Sequence, residues 1–182
     1  MGAEHRGGLR ATAKRRAVLA AVPLAVGFVA AADAHVLLKE DSAEAGSRHV
    51  AVFVLQERCG ESRTKALRIT MPDGVYVAQP AAKQGWRLDV VEEALAQPVT
   101  AGGENVSKRV KEIAWTIASP RPAYVDQFEV ALQLPAAAGT LYFLSVQECE
   151  TGERRWVEIP PAGKTPADLR RPAPALTVTP RR

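Results

Sequence analysis

Residues 65–71 (KALRITM) run into Pro72-Asp73-Gly74, and extension resumes over residues 75–78. Leu67, Ile69 and Met71 alternate with Arg68 and Thr70, the period-two pattern of a strand with one buried face. Pro-Asp-Gly then supplies a turn, because proline presets φ and glycine accepts a positive one. The same unit recurs outward in both directions. Towards the N-terminus lie residues 35–39 (HVLLK) and 48–56 (RHVAVFVLQ). Towards the C-terminus lie residues 86–91, 110–117, 124–134, 141–146 and 154–159. Eight or nine short strands within about 125 residues predict an all-β chain. Two packed antiparallel sheets, an immunoglobulin-like β-sandwich, are the natural way to bury so many half-apolar strands.

Helix is scarce in this reading. Residues 90–96 (VVEEALA) carry helical propensity for a turn or two, bounded by Gly85-Trp86 and Gln97-Pro98. From Pro160 the composition shifts: six of the last 23 residues are proline and aromatic residues vanish. The domain is therefore expected over residues 35–161, with an extended, partly disordered tail over 162–182, in which a late strand at 175–179 is compatible with the pattern.

The first 34 residues read as a secretory signal peptide. Residues 1–16 hold five Lys or Arg, residues 17–32 (AVLAAVPLAVGFVAAA) are apolar, and Ala32-Asp33-Ala34 is an A-x-A cleavage site. Cleavage there makes His35 the first residue of an exported, periplasmic or extracellular protein; left uncut, the segment would act as an anchor. The whole chain has 24 Lys and Arg against 20 Asp and Glu. Without the leader's five basic and two acidic residues this becomes 19 against 18, which is no nucleic-acid footprint. Export also bears on Cys59 and Cys149, which lie in no metal-binding spacing. In an oxidising compartment such a pair is most simply a disulfide, with a Cu(I) dithiolate as the alternative.

An N-terminal histidine is a chelator before any fold is considered. Its α-amine and imidazole Nδ1 close a ring on one ion, and two such nitrogens suit Cu(II) above other divalent metals. A second imidazole could come only from His49, whose neighbours on both strand faces are apolar. His49 is expected instead to be a core or edge histidine satisfied by a backbone group. No Ser/His/Asp or Cys/His set is available for nucleophilic catalysis.

Several segments occur in a telling order: His35-Val-Leu-Leu, Cys59 followed by Thr64-Lys65-Ala66-Leu67, Ile69-Thr-Met-Pro72-Asp-Gly74, Gly85-Trp86, Ile113-Ala-Trp115, Asp126-Gln-Phe128, and Gln147-Glu-Cys149-Glu-Thr-Gly152 through Trp156-Val-Glu-Ile-Pro160. This series resembles the YcnI-like family of bacterial secreted copper-binding proteins, from His35 to about Pro161, most specifically over residues 147–160. The resemblance implies a β-sandwich with a monohistidine brace. There Cu(II) is held by the N-terminal amine and imidazole, beside an acidic side chain and under a tryptophan. The histidine is then His35, the acid Asp126 and the tryptophan Trp156, while Cys59 and Cys149 match paired cysteines of the relatives. Asp126 stands where some members have glutamate, one methylene longer.

Strand periodicity agrees on the acid. Asp126 shares a face with Phe128, Val130, Leu132 and Leu134, where a charge needs a partner such as a metal. Glu129 faces the other way with Gln127 and Gln133 and is expected to be solvated; Glu150 and Glu129 are the acids to turn to should Asp126 prove not to be a ligand. Trp86 and Trp115 are expected to be core residues. The function these residues point to is an exported copper-binding protein that holds or delivers Cu(II), with a copper-handling protein as partner. A copper-dependent redox enzyme at the same site and a purely structural sandwich are the alternatives.

Overall fold

A computed structural model describes residues 1–2, 36–56, 59, 61–119 and 125–181. The chain divides into two units, Met1–Ala32 and Asp33–Arg182. The expected signal peptide and His35 lie outside the described residues, apart from Met1 and Gly2.

In chain order the described strands are β1 (Val36–Leu38), β2 (Ser42–Glu44), β3 (Arg48–Leu55), β4 (Thr64–Thr70), β5 (Val77–Pro80), β6 (Trp86–Ala101), β7 (Glu104–Ile117), β8 (Asp126–Gln133), β9 (Gly139–Tyr142), β10 (Leu144–Cys149), β11 (Glu153–Trp156) and β12 (Ala175–Thr179). They form a four-stranded sheet in the order β1-β3-β8-β5, a five-stranded sheet in the order β11-β10-β4-β7-β6, and a three-stranded sheet in the order β2-β12-β9. Every pairing is antiparallel except that of β12 with β2. The expected all-β, immunoglobulin-like sandwich is thus present, with twelve described strands where eight or nine were read from the sequence.

Alternation decides which side chains meet. In β8, Phe128, Val130 and Leu132 are buried while Gln127, Glu129 and Ala131 are exposed. Phe53 and Phe128 of the four-stranded sheet share one core with Leu67, Ile69, Ile113 and Trp115 of the five-stranded sheet. Trp115 tilts against Phe128 with ring centroids 5.2 Å apart, and Phe53 meets Phe143 edge-on at the same distance. Full burial of each such side chain contributes roughly 1.5–3 kcal/mol.

Residues 90–96 are strand, not helix. Val90 pairs with Ile113 and Val91 with Glu112, inside a hairpin of β6 and β7 that runs well past the ends read from the sequence. Cross-strand pairing overrides local propensity here. Register shifts at Val91/Glu92 and Ala94/Val99 accommodate the Gln97-Pro98 interruption. The hairpin closes on Gly102 and Gly103, both at positive φ, between the paired Ala101 and Glu104. Two left-handed residues in a two-residue loop make the turn whose twist matches the strands.

The proline-rich segment is likewise part of the domain rather than a loose tail. β12 lies between β2 and β9, with Leu176 and Val178 buried and Ala173 buried just before it. The late strand compatible with residues 175–179 is thus present with those bounds, and its alternating LTV pattern places Leu176 and Val178 in the core, so what is corrected is the loose character expected of the tail around it.

Candidate functional site

Asp126 opens β8 on the strand's core-facing side, and its carboxylate already has a cation. Lys83 Nζ lies 2.5 Å from Asp126 Oδ1, with side chains a quarter and a third exposed respectively. The Gln127 amide donates to the same oxygen at 3.1 Å. Lys83 Nζ also sits 5.1 Å from the centroid of the Phe128 ring, which attracts the ammonium through its π-face. Phe128 in turn receives Trp86 edge-on.

Lys83 is held there by its loop. The Ala81 amide donates to the Glu129 carbonyl at 2.8 Å, Trp115 Nε1 donates to the Ala81 carbonyl at 3.1 Å, and the Trp86 amide donates back to the Lys83 carbonyl at 3.0 Å. Gly85, at φ +81°, makes that last turn possible. Asp126, Lys83, Phe128 and Trp86 therefore form one connected group. Periodicity foresaw that a charge on this face needs a partner; it gave no hint of Lys83, which is distant in sequence and marked by no motif.

The register sets what else is near. Val36 pairs with Leu55, and Leu55 with Asp126, so the three share one row across β1, β3 and β8. Two strand spacings, about 10 Å, separate the ends of that row. At the same end of the sandwich, the segment after β3 is fastened to the end of β10 by a disulfide between Cys59 and Cys149, with Cα atoms 5.7 Å apart. The dithiolate alternative is thereby excluded in this state.

Other residues singled out by sequence lie elsewhere. His49 pairs with Leu132, six residues from Leu55 along β3, roughly 20 Å from Asp126's row. Its side chain is 9% exposed; Nδ1 is 4.0 Å from Glu40 Oε2, and the buried Nε2 has no hydrogen-bond partner. The backbone bond expected for it is absent. Glu129 is exposed, and Glu150 is exposed with its carboxylate accepting from the Arg63 amide at 3.3 Å. Trp156 is opposite Ser145 on the outer strand of the five-stranded sheet and is 1% exposed within the core. Trp115 is fully buried, as expected, whereas Trp86 is partly exposed. The described contacts thus join Asp126 to Trp86 rather than to Trp156.

Among the described residues no three His, Cys, Asp or Glu side chains gather into a metal cluster. Asp126 nonetheless fits a cation: it is a part-buried carboxylate whose charge is balanced by an ammonium at contact distance.

Residues 35–178 match the model of the family described as a domain of unknown function, DUF1775. The chain belongs to the DUF1775 family. The match starts at His35 and ends within β12, so the DUF1775 domain includes the segment first read as a tail. No curated protein matches the chain. Among solved structures, an uncharacterized protein from Nocardia farcinica with an immunoglobulin-like fold is similar at 23% identity and a TM-score of 0.60, over 79% of this chain and 97% of that one. A putative membrane anchored protein from Corynebacterium diphtheriae aligns at 13% identity and a TM-score of 0.39, over 80% of this chain and 33% of that one. The first likeness is one of fold, in agreement with the sandwich of the DUF1775 domain.

Proposed function

We propose that this DUF1775 protein is exported and binds Cu(II) as cargo, for storage or delivery, at its N-terminal histidine. The observation that carries the reading is the row Val36–Leu55–Asp126. It sets the residue that follows His35 at the same end of the same sheet as the acid named by the YcnI-like resemblance. His35 would supply an amine and an imidazole nitrogen, and Asp126 an oxygen and a compensating charge. The resemblance names Trp156 as the indole beside the metal; the contacts of Phe128 favour Trp86. The disulfide supports an oxidising destination. A copper-handling protein at the membrane or in the periplasm is the fitting partner.

The test begins with the intact mass of the secreted protein, expected to start at His35. One alanine inserted before His35 keeps the imidazole but removes the amine chelate. Copper titration of that variant should show binding weakened by several orders of magnitude. Native affinity in the variant, or a mature chain that begins elsewhere, overturns the reading. Ascorbate-driven peroxide production above that of free copper would favour the redox-enzyme alternative.

A further inference from the structure

We propose that Lys83 is a built-in competitor for the metal: its ammonium occupies Asp126 in the copper-free protein and opposes Cu(II) there, so that the bound ion stays releasable. The inference rests on the copper reading and concerns the regulation of that site. Three features of the described residues carry it.

The ammonium is at contact distance from the carboxylate oxygen, 2.5 Å, and two cations sharing one carboxylate repel each other. Its position is specified, not incidental. The loop that bears Lys83 is hydrogen-bonded to β8 through Ala81 and to β7 through Trp115, and the Trp86 amide closes the turn around Lys83 itself. In that same position the head group lies against the Phe128 ring, 5.1 Å from the centroid, so a cation–π contact helps to hold it beside the carboxylate. Lysine's flexible four-carbon stem lets its charge swing while the loop stays fixed. With its side chain a quarter exposed, the displaced ammonium reaches water without unfolding anything.

The experiment is a copper titration of the full mature chain, in competition with a chelator of known affinity, on Lys83→Met, Lys83→Arg, Asp126→Asn and the Lys83→Met/Asp126→Asn double variant. Thermal unfolding without copper is run in parallel. Lys83→Met should bind Cu(II) roughly tenfold more tightly, equivalent to about 1.4 kcal/mol. Lys83→Arg keeps the cation and should stay near native affinity. In the Asp126→Asn background, Lys83→Met should change affinity little, because the shared carboxylate is gone. A folded Lys83→Met variant with native or weaker affinity overturns the competitor role while leaving the copper reading intact. A tenfold gain that persists in Asp126→Asn also overturns it, since the effect would not pass through Asp126. If the native chain binds no Cu(II), both fall; if the alanine insertion abolishes binding while Lys83→Met leaves it unchanged, only the competitor falls.

Discussion

Trp86 stands edge-on to Phe128, ring centroids 5.1 Å apart and planes at 88°. Since Lys83 touches both Asp126 and the Phe128 ring, Trp86 is the indole linked to the carboxylate by the shortest chain of described contacts. Copper at Asp126 should therefore quench Trp86 more than Trp156. Steady-state fluorescence of Trp86→Phe should lose most of the copper-induced decrease, and Trp156→Phe should retain it. The reverse pattern would return the role to Trp156.

The hairpin tip is fitted to the four-stranded sheet. A Cβ built on Gly102 would lie 2.8 Å from Gln133 Oε1 and 3.2 Å from its Cγ, whereas one on Gly103 meets nothing within 4 Å. Both glycines have positive φ, so alanine at either costs about 1 kcal/mol for backbone strain. Gly102→Ala should cost about 1 kcal/mol beyond Gly103→Ala, through the crowding of Gln133. Chemical denaturation of the two variants side by side measures that difference.

The two misjudged segments show what a sequence can and cannot display. Residues 65–78 and 126–134 were legible because period two and Pro-Asp-Gly are local signals. The face of Asp126 followed from the same rule. VVEEALA misled because its partner strand lies beyond a hairpin tip, and pairing across that distance leaves no mark on local propensity. The bounds of β12 were legible in the alternation of ALTVT, but its place in the domain was not, because proline content describes its flanks, while its partners β2 and β9 are three and four residues long and unreadable alone. The Lys83–Asp126 pair belongs to the same class. A contact between a loop residue and the first residue of a distant strand carries no pattern, and only the fold brings it about.

Acid should loosen the long hairpin where it crosses the Pro72–Gly74 turn. Arg109 donates to Glu93 at 2.7 Å and to the Pro72 carbonyl at 3.2 Å, and it pairs with Asp73 at 2.9 Å. Hydrogen bonds from Lys111 first, then Arg109, hold the Glu93 carboxyl below the usual glutamate range. A depressed carboxyl contributes stability that is complete above its unfolded value and is lost as pH falls through the folded value. Carbon-detected NMR titration should place the Glu93 midpoint below the ordinary glutamate range. In Glu93→Gln, the loss of stability below that range should be smaller than in the native chain.

Leu176 tests the assignment of the proline-rich segment to the core. It is fully buried in β12, and truncation to alanine should cost about 3 kcal/mol through lost burial and the cavity left behind. A disordered tail would tolerate the change with no shift in the unfolding midpoint. Leu169, which precedes β12 and is not fully buried, serves as the contrast and should cost much less.

β12 is also the last strand described, yet it occupies the middle of its sheet and joins β2 near the start of the domain to β9. Synthesis proceeds from the N-terminus, so β2 and β9 have no common partner until residues 175–179 have left the ribosome. The three-stranded sheet therefore cannot form on a chain that stops short of β12. Until those residues emerge, the part of the core that Leu176 and Val178 fill stays open, so this end of the domain is sealed by a strand made after both of its partners.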